Sequence, residues 1–145
     1  MTELAFHFNA PDRIAYACRL LRKAVGSGAR VTVTGSTDTL KELDLALWTL
    51  SPTDFVPHCF LDSPAWVVAA SPVVLALALA EVPHRQVLLN LGTAVPAGFD
   101  RFERVIELVG QEDDERRSAR ARWKQYTGLG YAITRHDLTL KTSES

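Results

Sequence analysis

Short apolar segments with the length of β-strands alternate along this chain with segments whose apolar residues recur at helical spacing. The predicted strands span residues 4–8, 30–34, 73–79, 86–91, 104–109 and 131–135, and the predicted helices span residues 13–25, 39–50 and 112–131. Residues 65–70 fit either a short helix or a strand. Strands that alternate with helices return to one sheet in parallel. The alternation therefore predicts an α/β fold, a single Rossmann-like three-layer domain with a mainly parallel sheet.

The expected domain covers residues 1–138, and the polar residues 139–145 are expected to form a disordered tail. A chain of 145 residues can bury roughly two-thirds of its unfolded surface in one core. Its net charge of −1 argues against a dedicated DNA- or RNA-binding domain, because such a domain has a basic field as a whole. Any anion-binding surface must therefore be local.

The cellular compartment can be predicted from three further features. The first residues, MTELAFHF, do not have the form of a signal peptide. The longest apolar run, residues 73–80, is too short to span a bilayer. The two cysteines, Cys18 and Cys59, suit a reduced protein better than a disulfide scaffold. We therefore expect a cytoplasmic protein without membrane association.

The predicted fold raises the question of nucleotide binding, which the turns after the strands do not support. The turn after the second predicted strand, residues 34–38, reads TGSTD and has one glycine and no lysine. It matches neither the P-loop nor the dinucleotide-binding pattern. Without the glycines the backbone cannot approach a phosphate closely, and without the lysine no side chain neutralises the phosphate charge. A nucleotide-dependent enzyme stays an alternative that rests on fold analogy alone.

Groups that could support catalysis or bind a metal are scattered along the chain. His58 and Cys59 are adjacent, but adjacent side chains usually point apart, and no motif marks Cys59 as a nucleophile. The four histidines lack metal-ligand spacing, and the acids Glu103, Glu107 and Glu112 lack a spacing that pairs them for acid–base chemistry. We expect no enzyme activity of the isolated chain, and neither a metal nor a cofactor.

The helix predicted at 112–131 has an unusual charge pattern, with four acids followed by five bases. The acids suit the positive end of the helix dipole, and Gly128 or Gly130 can form a left-handed cap. At 100° per residue, one arc of the helix carries Arg116, Arg120, Trp123, Lys124 and Thr127. A flat ring among cations suits an anionic partner with an apolar anchor. A solvated basic face with Trp123 half in the core is the alternative.

The helix predicted at 39–50 and the loop after it contain a second group of candidate binding residues. Leu45 and Trp48 lie away from the leucine face that packs on the sheet. Pro52 and Phe55 follow in the loop, and exposed aromatic clusters mark protein interfaces. The loop could equally fold back so that Phe55 covers Trp48, and periodicity does not decide between the two.

Three blocks of this sequence resemble one protein family. They read LDLALWTLSPTDFVPH at 43–58, VLLNLG at 87–92 and FERVIELVGQEDDERRSARARWKQYTGLGY at 102–131. They are similar to the chi subunit of the bacterial DNA polymerase III holoenzyme, and the first and third blocks together are specific. The resemblance covers nearly the whole chain and is weakest at 61–83 and in the polar tail.

This resemblance implies a Rossmann-like fold that binds no nucleotide, in agreement with the missing phosphate loop. It also implies a non-catalytic subunit of the clamp loader, which forms a heterodimer with the psi subunit. The second implied partner is the acidic, phenylalanine-ended C-terminal tail of single-stranded DNA-binding protein (SSB). DNA would then be reached indirectly through SSB, whereas direct binding of single-stranded DNA by the arginine-rich helix is a further alternative.

The resemblance also assigns residues to the two binding surfaces. By motif position, Arg116, Arg120, Trp123 and Lys124 are similar to the family's tail-binding residues, with Val109 lining the pocket for the terminal phenylalanine. Tryptophan replaces the usual tyrosine at position 123, and arginine stands where lysine can occur, so the ring and the charge are retained. Trp48, Pro52 and Phe55 correspond to residues that bind psi or, alternatively, an XPD-like repair helicase.

Overall fold

The computed structural model describes residues 2–49 and 56–138. The described chain forms β1 (Glu3–Ala10), α1 (Arg13–Gly26), β2 (Val31–Thr34), α2 (Thr37–Trp48), β3 (His58–Phe60), α3 (Ala65–Ala70), β4 (Val73–Leu75), β5 (Val87–Asn90), a short 3-10 helix (Phe99–Arg101), β6 (Arg104–Gly110), α4 (Asp113–Gly128) and β7 (Ile133–Asp137).

The strands form one sheet with the order β3-β4-β2-β5-β6-β1-β7. Every strand pair among the described residues is parallel, so the predicted α/β fold is confirmed and its sheet is more uniform than expected. Phe6 of β1 is in register with Glu107 of β6 on one side and with Arg135 of β7 on the other. Residues that are distant in sequence therefore become neighbours at this end of the sheet.

Two large apolar clusters, one on each face of the sheet, give the predicted three layers, and a small third cluster of Cys59, Val68 and Val74 packs α3 against β3 and β4. The cluster with α1 and α2 includes Ala17, Cys18, Leu21, Leu40, Leu43, Leu47, Val33, Leu75, Leu89 and Leu108. The cluster with α4 includes Leu4, Phe6, Leu88, Phe99, Phe102, Val105, Val109, Ala119 and Tyr126. Each fully buried leucine or phenylalanine side chain stabilises the fold by about 1.5–3 kcal/mol through removal of apolar surface from water.

The helix ends agree with local sequence signals. Asp12 caps α1, because its Oδ1 accepts a hydrogen bond from the backbone N–H of Ala15 at 3.0 Å. Ser36 caps α2 in the same way, so α2 begins at Thr37, two residues earlier than predicted. At the end of α4, Gly130 adopts a φ of +94° and completes the left-handed cap that the sequence predicts.

The segment between α2 and β5 differs most from the sequence prediction. Strand β3 begins at the end of the loop that the sequence predicts after the second helix, and was not itself predicted, because three residues are too few to show an alternating pattern. Strand β4 ends at Leu75 rather than at residue 79, and Leu77 beyond it is exposed. Residues 65–70 form a helix, which resolves the ambiguity at that position.

Within residues 2–49 and 56–138, none of the helices has both the length and the apolar character needed to cross a bilayer. The described residues likewise contain no group of three or more histidine, cysteine, aspartate or glutamate side chains that could bind a metal ion.

Candidate functional site

A groove lies between α4 and strands β1, β6 and β7, and it has a volume of about 430 Å³. We call it the α4 groove. It is lined by Phe6, Phe8, Asn9, Val109, Gly110, Arg116, Ala119, Arg120, Trp123 and Arg135. The carboxyl ends of β1 and β6 contribute to one wall, and the carboxyl ends of parallel strands are where α/β proteins usually bind ligands.

The bottom of the α4 groove is apolar and aromatic. The rings of Phe6 and Trp123 pack edge to face, with centroids 5.0 Å apart and planes at 61°. Val109 is buried and also lines this surface, while Phe8 and Trp123 are half-buried. An apolar side chain of a ligand could therefore be removed from water here.

Three bases of α4, of which Arg116 and Arg120 line the α4 groove, have no ion-pair partner among the described residues. Two of the five bases of α4 are paired: Arg117 Nη1 lies 3.6 Å from Asp114, and Arg122 Nε lies 3.0 Å from Glu107. Arg116, Arg120 and Lys124 take part in no ion pair among the described residues. These three are the cations that the sequence analysis assigned to a ligand.

Four of the five residues predicted to bind the SSB tail line the α4 groove, and the fifth does not. Arg116, Arg120, Trp123 and Val109 line the α4 groove together. Lys124 is exposed on α4 but is not among the residues that line the groove. Phe6, Phe8 and Arg135 line it without having been predicted, because they come from strands whose register is set by long-range pairing. The alternation of Phe6 and Phe8 on one face of β1 was the available signal.

Two residues at the strand ends shape the rim of the groove. Asn9 has a φ of +64°, a left-handed conformation that asparagine tolerates better than most residues, and its Nδ2 donates to Asp137 Oδ1 at 3.1 Å. At Gly110, an added Cβ would collide with the carboxylate of Glu115 in the first turn of α4. Gly110 and the carboxylate end of the Glu115 side chain are therefore close neighbours where β6 leads into α4.

A buried polar network holds α4 against the sheet. Glu107 is fully buried and accepts hydrogen bonds from Arg122 Nε at 3.0 Å, from Tyr126 Oη at 2.6 Å and from Asn90 Nδ2 at 2.9 Å. Burial raises the pKa of the Glu107 carboxyl, while Arg122 and the hydrogen bonds lower it. Burial, together with the Glu107 charge, raises the pKa of Tyr126.

This network corrects the sequence interpretation of Arg122. The sequence analysis counted Arg122 among the bases of a charged segment, but its side chain is buried beneath α4. Its spacing from Ala119 and Tyr126, three residues after one and four before the other, was the signal that it shares their buried face. With this face fixed to the sheet, Arg116 and Arg120 point to the groove side of the helix.

A second cavity of about 510 Å³ lies at the carboxyl ends of β2 and β5, where a nucleotide would be sought in this fold. Two of its polar side chains, those of Ser36 and Arg13, have partners within the chain. Ser36 Oγ caps α2, and Arg13 Nη1 donates to the carbonyl oxygen of Leu91 at 2.7 Å. Ser36 and Arg13 therefore offer no free donors that could take the place of the missing phosphate loop.

Comparison with known proteins decides the family. Residues 1–134 match the family described as "DNA polymerase III chi subunit, HolC". The chain belongs to the DNA polymerase III chi subunit family. Its predicted character as an accessory subunit of the polymerase, rather than an enzyme by itself, agrees with that membership.

Relatives named as chi subunits support the same assignment. The DNA polymerase III subunit chi of Pseudomonas aeruginosa is 34% identical over 127 residues, with 87% of each chain covered. That of Haemophilus influenzae is 28% identical over 119 residues, covering 81% of this chain and 82% of the relative. Among solved structures, the C-terminal domain of the DEAD-box protein Dbp5 is similar, with a TM-score of 0.64 and 12% identity over 96% of this chain and 91% of that one. This last likeness concerns the fold alone.

The second predicted surface lies on α2. Trp48 is 59% exposed and Leu45 is 66% exposed, so both side chains point away from the core. The ring of His58 lies 5.3 Å from that of Trp48, and His58 Nε2 lies 2.9 Å from Asp44 Oδ1. Pro52 and Phe55, assigned to the same surface from the sequence, lie outside the described residues. We call Leu45 and Trp48 the α2 patch.

Proposed function

We propose that this chain binds the psi subunit and the acidic C-terminal tail of SSB, and so tethers the polymerase III holoenzyme to SSB-coated DNA in the cytoplasm. The observation that carries the proposal is the pairing of an apolar groove with Arg116 and Arg120, which have no carboxylate partner among the described residues. An acidic peptide with an aromatic last residue complements both parts. Membership of the chi subunit family supports a place in the replisome.

The proposed mechanism is tethering rather than catalysis. The apolar end of the tail would lie on Val109 and Trp123, while Arg120 binds the terminal carboxylate or an aspartate and Arg116 and Lys124 attract the remaining acids. Because the cations are exposed, their attraction is screened over about 8 Å at physiological ionic strength, and the affinity should fall as salt rises. Several tails on one SSB-coated strand would compensate through avidity.

Replacing Arg120 with alanine should weaken binding of a fluorescein-labelled SSB tail peptide about tenfold, because one charge-assisted contact is lost. Fluorescence anisotropy at two salt concentrations measures this effect. Arg117→Ala is the matched control, since it removes the same charge from the same helix at a residue that is paired with Asp114 and does not line the groove. Equal affinities of the Arg120 and Arg117 variants would contradict the assignment.

The same assay separates the alternative functions. A labelled single-stranded oligonucleotide without SSB should bind far more weakly than the tail peptide, because the net charge of −1 gives no basic field. A robust thermal shift with ATP, GTP or NAD would instead favour a nucleotide-dependent protein. The turn after β2 has neither the glycines nor the lysine that such a protein needs.

Replacing Trp48 with alanine should impair the complex with psi and leave binding of the tail peptide unchanged. A tryptophan at the centre of an interface typically contributes about 2 kcal/mol or more. Co-purification and titration with psi measure the loss. Trp66→Ala is the control, because Trp66 is also exposed but lies on α3, which packs on the other face of the sheet. If a folded Trp48→Ala variant binds psi with normal affinity, the α2 patch does not bind psi, and another partner such as an XPD-like helicase is the alternative.

A further inference from the structure

A further arginine, Arg135, reaches the α4 groove from β7, across from the bases of α4. Its Cζ atom lies 5.5 Å from the centroid of the Phe8 ring and 6.0 Å from that of the Trp123 ring. Both distances are within the range of cation–π attraction. The guanidinium group therefore lies over the rings of Phe8 and Trp123 in the groove.

Arg135 is also available for a ligand. The side chain is exposed, and it belongs to no ion pair among the described residues. The neighbouring carboxylate of Asp137 already accepts a hydrogen bond from Asn9. An attraction between the guanidinium charge and the rings occupies no hydrogen-bond acceptor, and the N–H groups of a guanidinium match the two oxygens of a carboxylate.

We propose that Arg135 is a specificity-determining residue of the α4 groove that binds the terminal carboxylate of an acidic peptide with an apolar last residue. On this assignment Arg120 binds an aspartate of the tail, the second of the two roles open to it. The inference rests on the proposed function and deepens it. The last side chain and the terminal carboxylate of a peptide are attached to the same Cα atom. When that side chain lies on Val109 and Trp123, the carboxylate is expected to lie next to it in the same groove, which Arg135 also lines with its Cζ 6.0 Å from the centroid of the Trp123 ring.

This arrangement distinguishes a chain end from an internal acidic segment. The bases of α4 attract any run of acids, because exposed charges act over a Debye length. Arg135 would add a contact that requires a carboxylate next to the apolar anchor. An internal phenylalanine within an acidic segment has an amide at that place, which lacks the charge. The groove is therefore expected to prefer the free C-terminus of its peptide.

The test compares two short acidic peptides that end in phenylalanine, one with a free carboxylate and one with a C-terminal amide. The wild-type chain should bind the free acid about tenfold more tightly, as expected for one charge-assisted contact. Arg135→Gln should weaken binding of the free acid by about the same factor and leave binding of the amide unchanged. The effects of the Arg135 substitution and of peptide amidation are therefore not additive. Arg135→Lys keeps the charge without the planar fork and should recover part of the preference.

Arg117→Gln is the matched control and should change neither affinity. If Arg135→Gln lowers the affinity for both peptides equally, or for neither, the inference is overturned, while the tail-binding site stays in place. Failure of the folded wild-type chain to bind either peptide would overturn the proposed function and this inference with it. Circular dichroism of the Arg135 variants establishes that they are folded.

Discussion

Replacing Arg122 with alanine is expected to lower the free energy of unfolding by about 3–5 kcal/mol. Its guanidinium is buried beside Glu107, which is fully buried and has no other cation within salt-bridge distance among the described residues. Removal of Arg122 would leave the carboxylate uncompensated or force its protonation. The hydrogen bonds from Tyr126 and Asn90 to Glu107 would remain, whereas the ion pair and the hydrogen bonds that Arg122 donates to Glu107 and Ser118 would be lost.

Urea denaturation followed by circular dichroism measures the change. The control is Arg117→Ala, which breaks an exposed pair with Asp114 and should cost less than about 1 kcal/mol. Replacing both charged partners, as in Glu107→Gln with Arg122→Met, should recover much of the stability, because no buried charge is then left unpaired and an acceptor remains for Tyr126 and Asn90. If Arg122→Ala and Arg117→Ala cost the same, the buried pair does not stabilise α4 as argued.

Replacing Trp123 with alanine is expected to give the largest loss of tail-peptide affinity, about 30-fold or more, which corresponds to about 2 kcal/mol. The Trp123 ring lines the groove, packs against Phe6 and lies beneath Arg135. Its loss would remove apolar contact area and release the guanidinium at the same time. Fluorescence anisotropy with the labelled peptide measures the effect.

Trp123→Tyr is the conservative control, because a tyrosine keeps a flat ring over Phe6. It should retain most of the affinity, whereas Trp123→Ala should not. Thermal melting of both variants separates a binding defect from partial unfolding, since Trp123 is half-buried. Unchanged peptide affinity in a folded Trp123→Ala variant would show that the groove is not the tail-binding surface.

The sequence predicted the helical part of the candidate site because helix geometry is local. The spacing of Arg116, Arg120 and Trp123 alone places them on one side of α4, and the structure brings all three to one groove. Whether they bind a ligand stays a prediction. Alternating strands and helices likewise predicted the parallel sheet, since parallel neighbours require crossover connections.

The remaining parts of the site depend on contacts between distant segments. Arg135 joins the groove because β7 pairs with β1, which places it in register with Phe6. No local pattern specifies that pairing. The buried pair of Arg122 and Glu107 was not predicted, because charged residues are rarely buried and their burial needs a partner that here lies on another element. Local periodicity thus defines the faces of elements, while strand register decides which faces meet.

The α4 groove and the α2 patch lie on opposite faces of the sheet, because α2 packs with one apolar cluster and α4 with the other. A ligand on one face has no surface in common with a ligand on the other. Under the proposed function, the coupling free energy between the two binding events would be close to zero, and each partner would bind with the same affinity whether or not the other is present. Such a subunit acts as a passive connector, and exchange of one partner would leave the other in place.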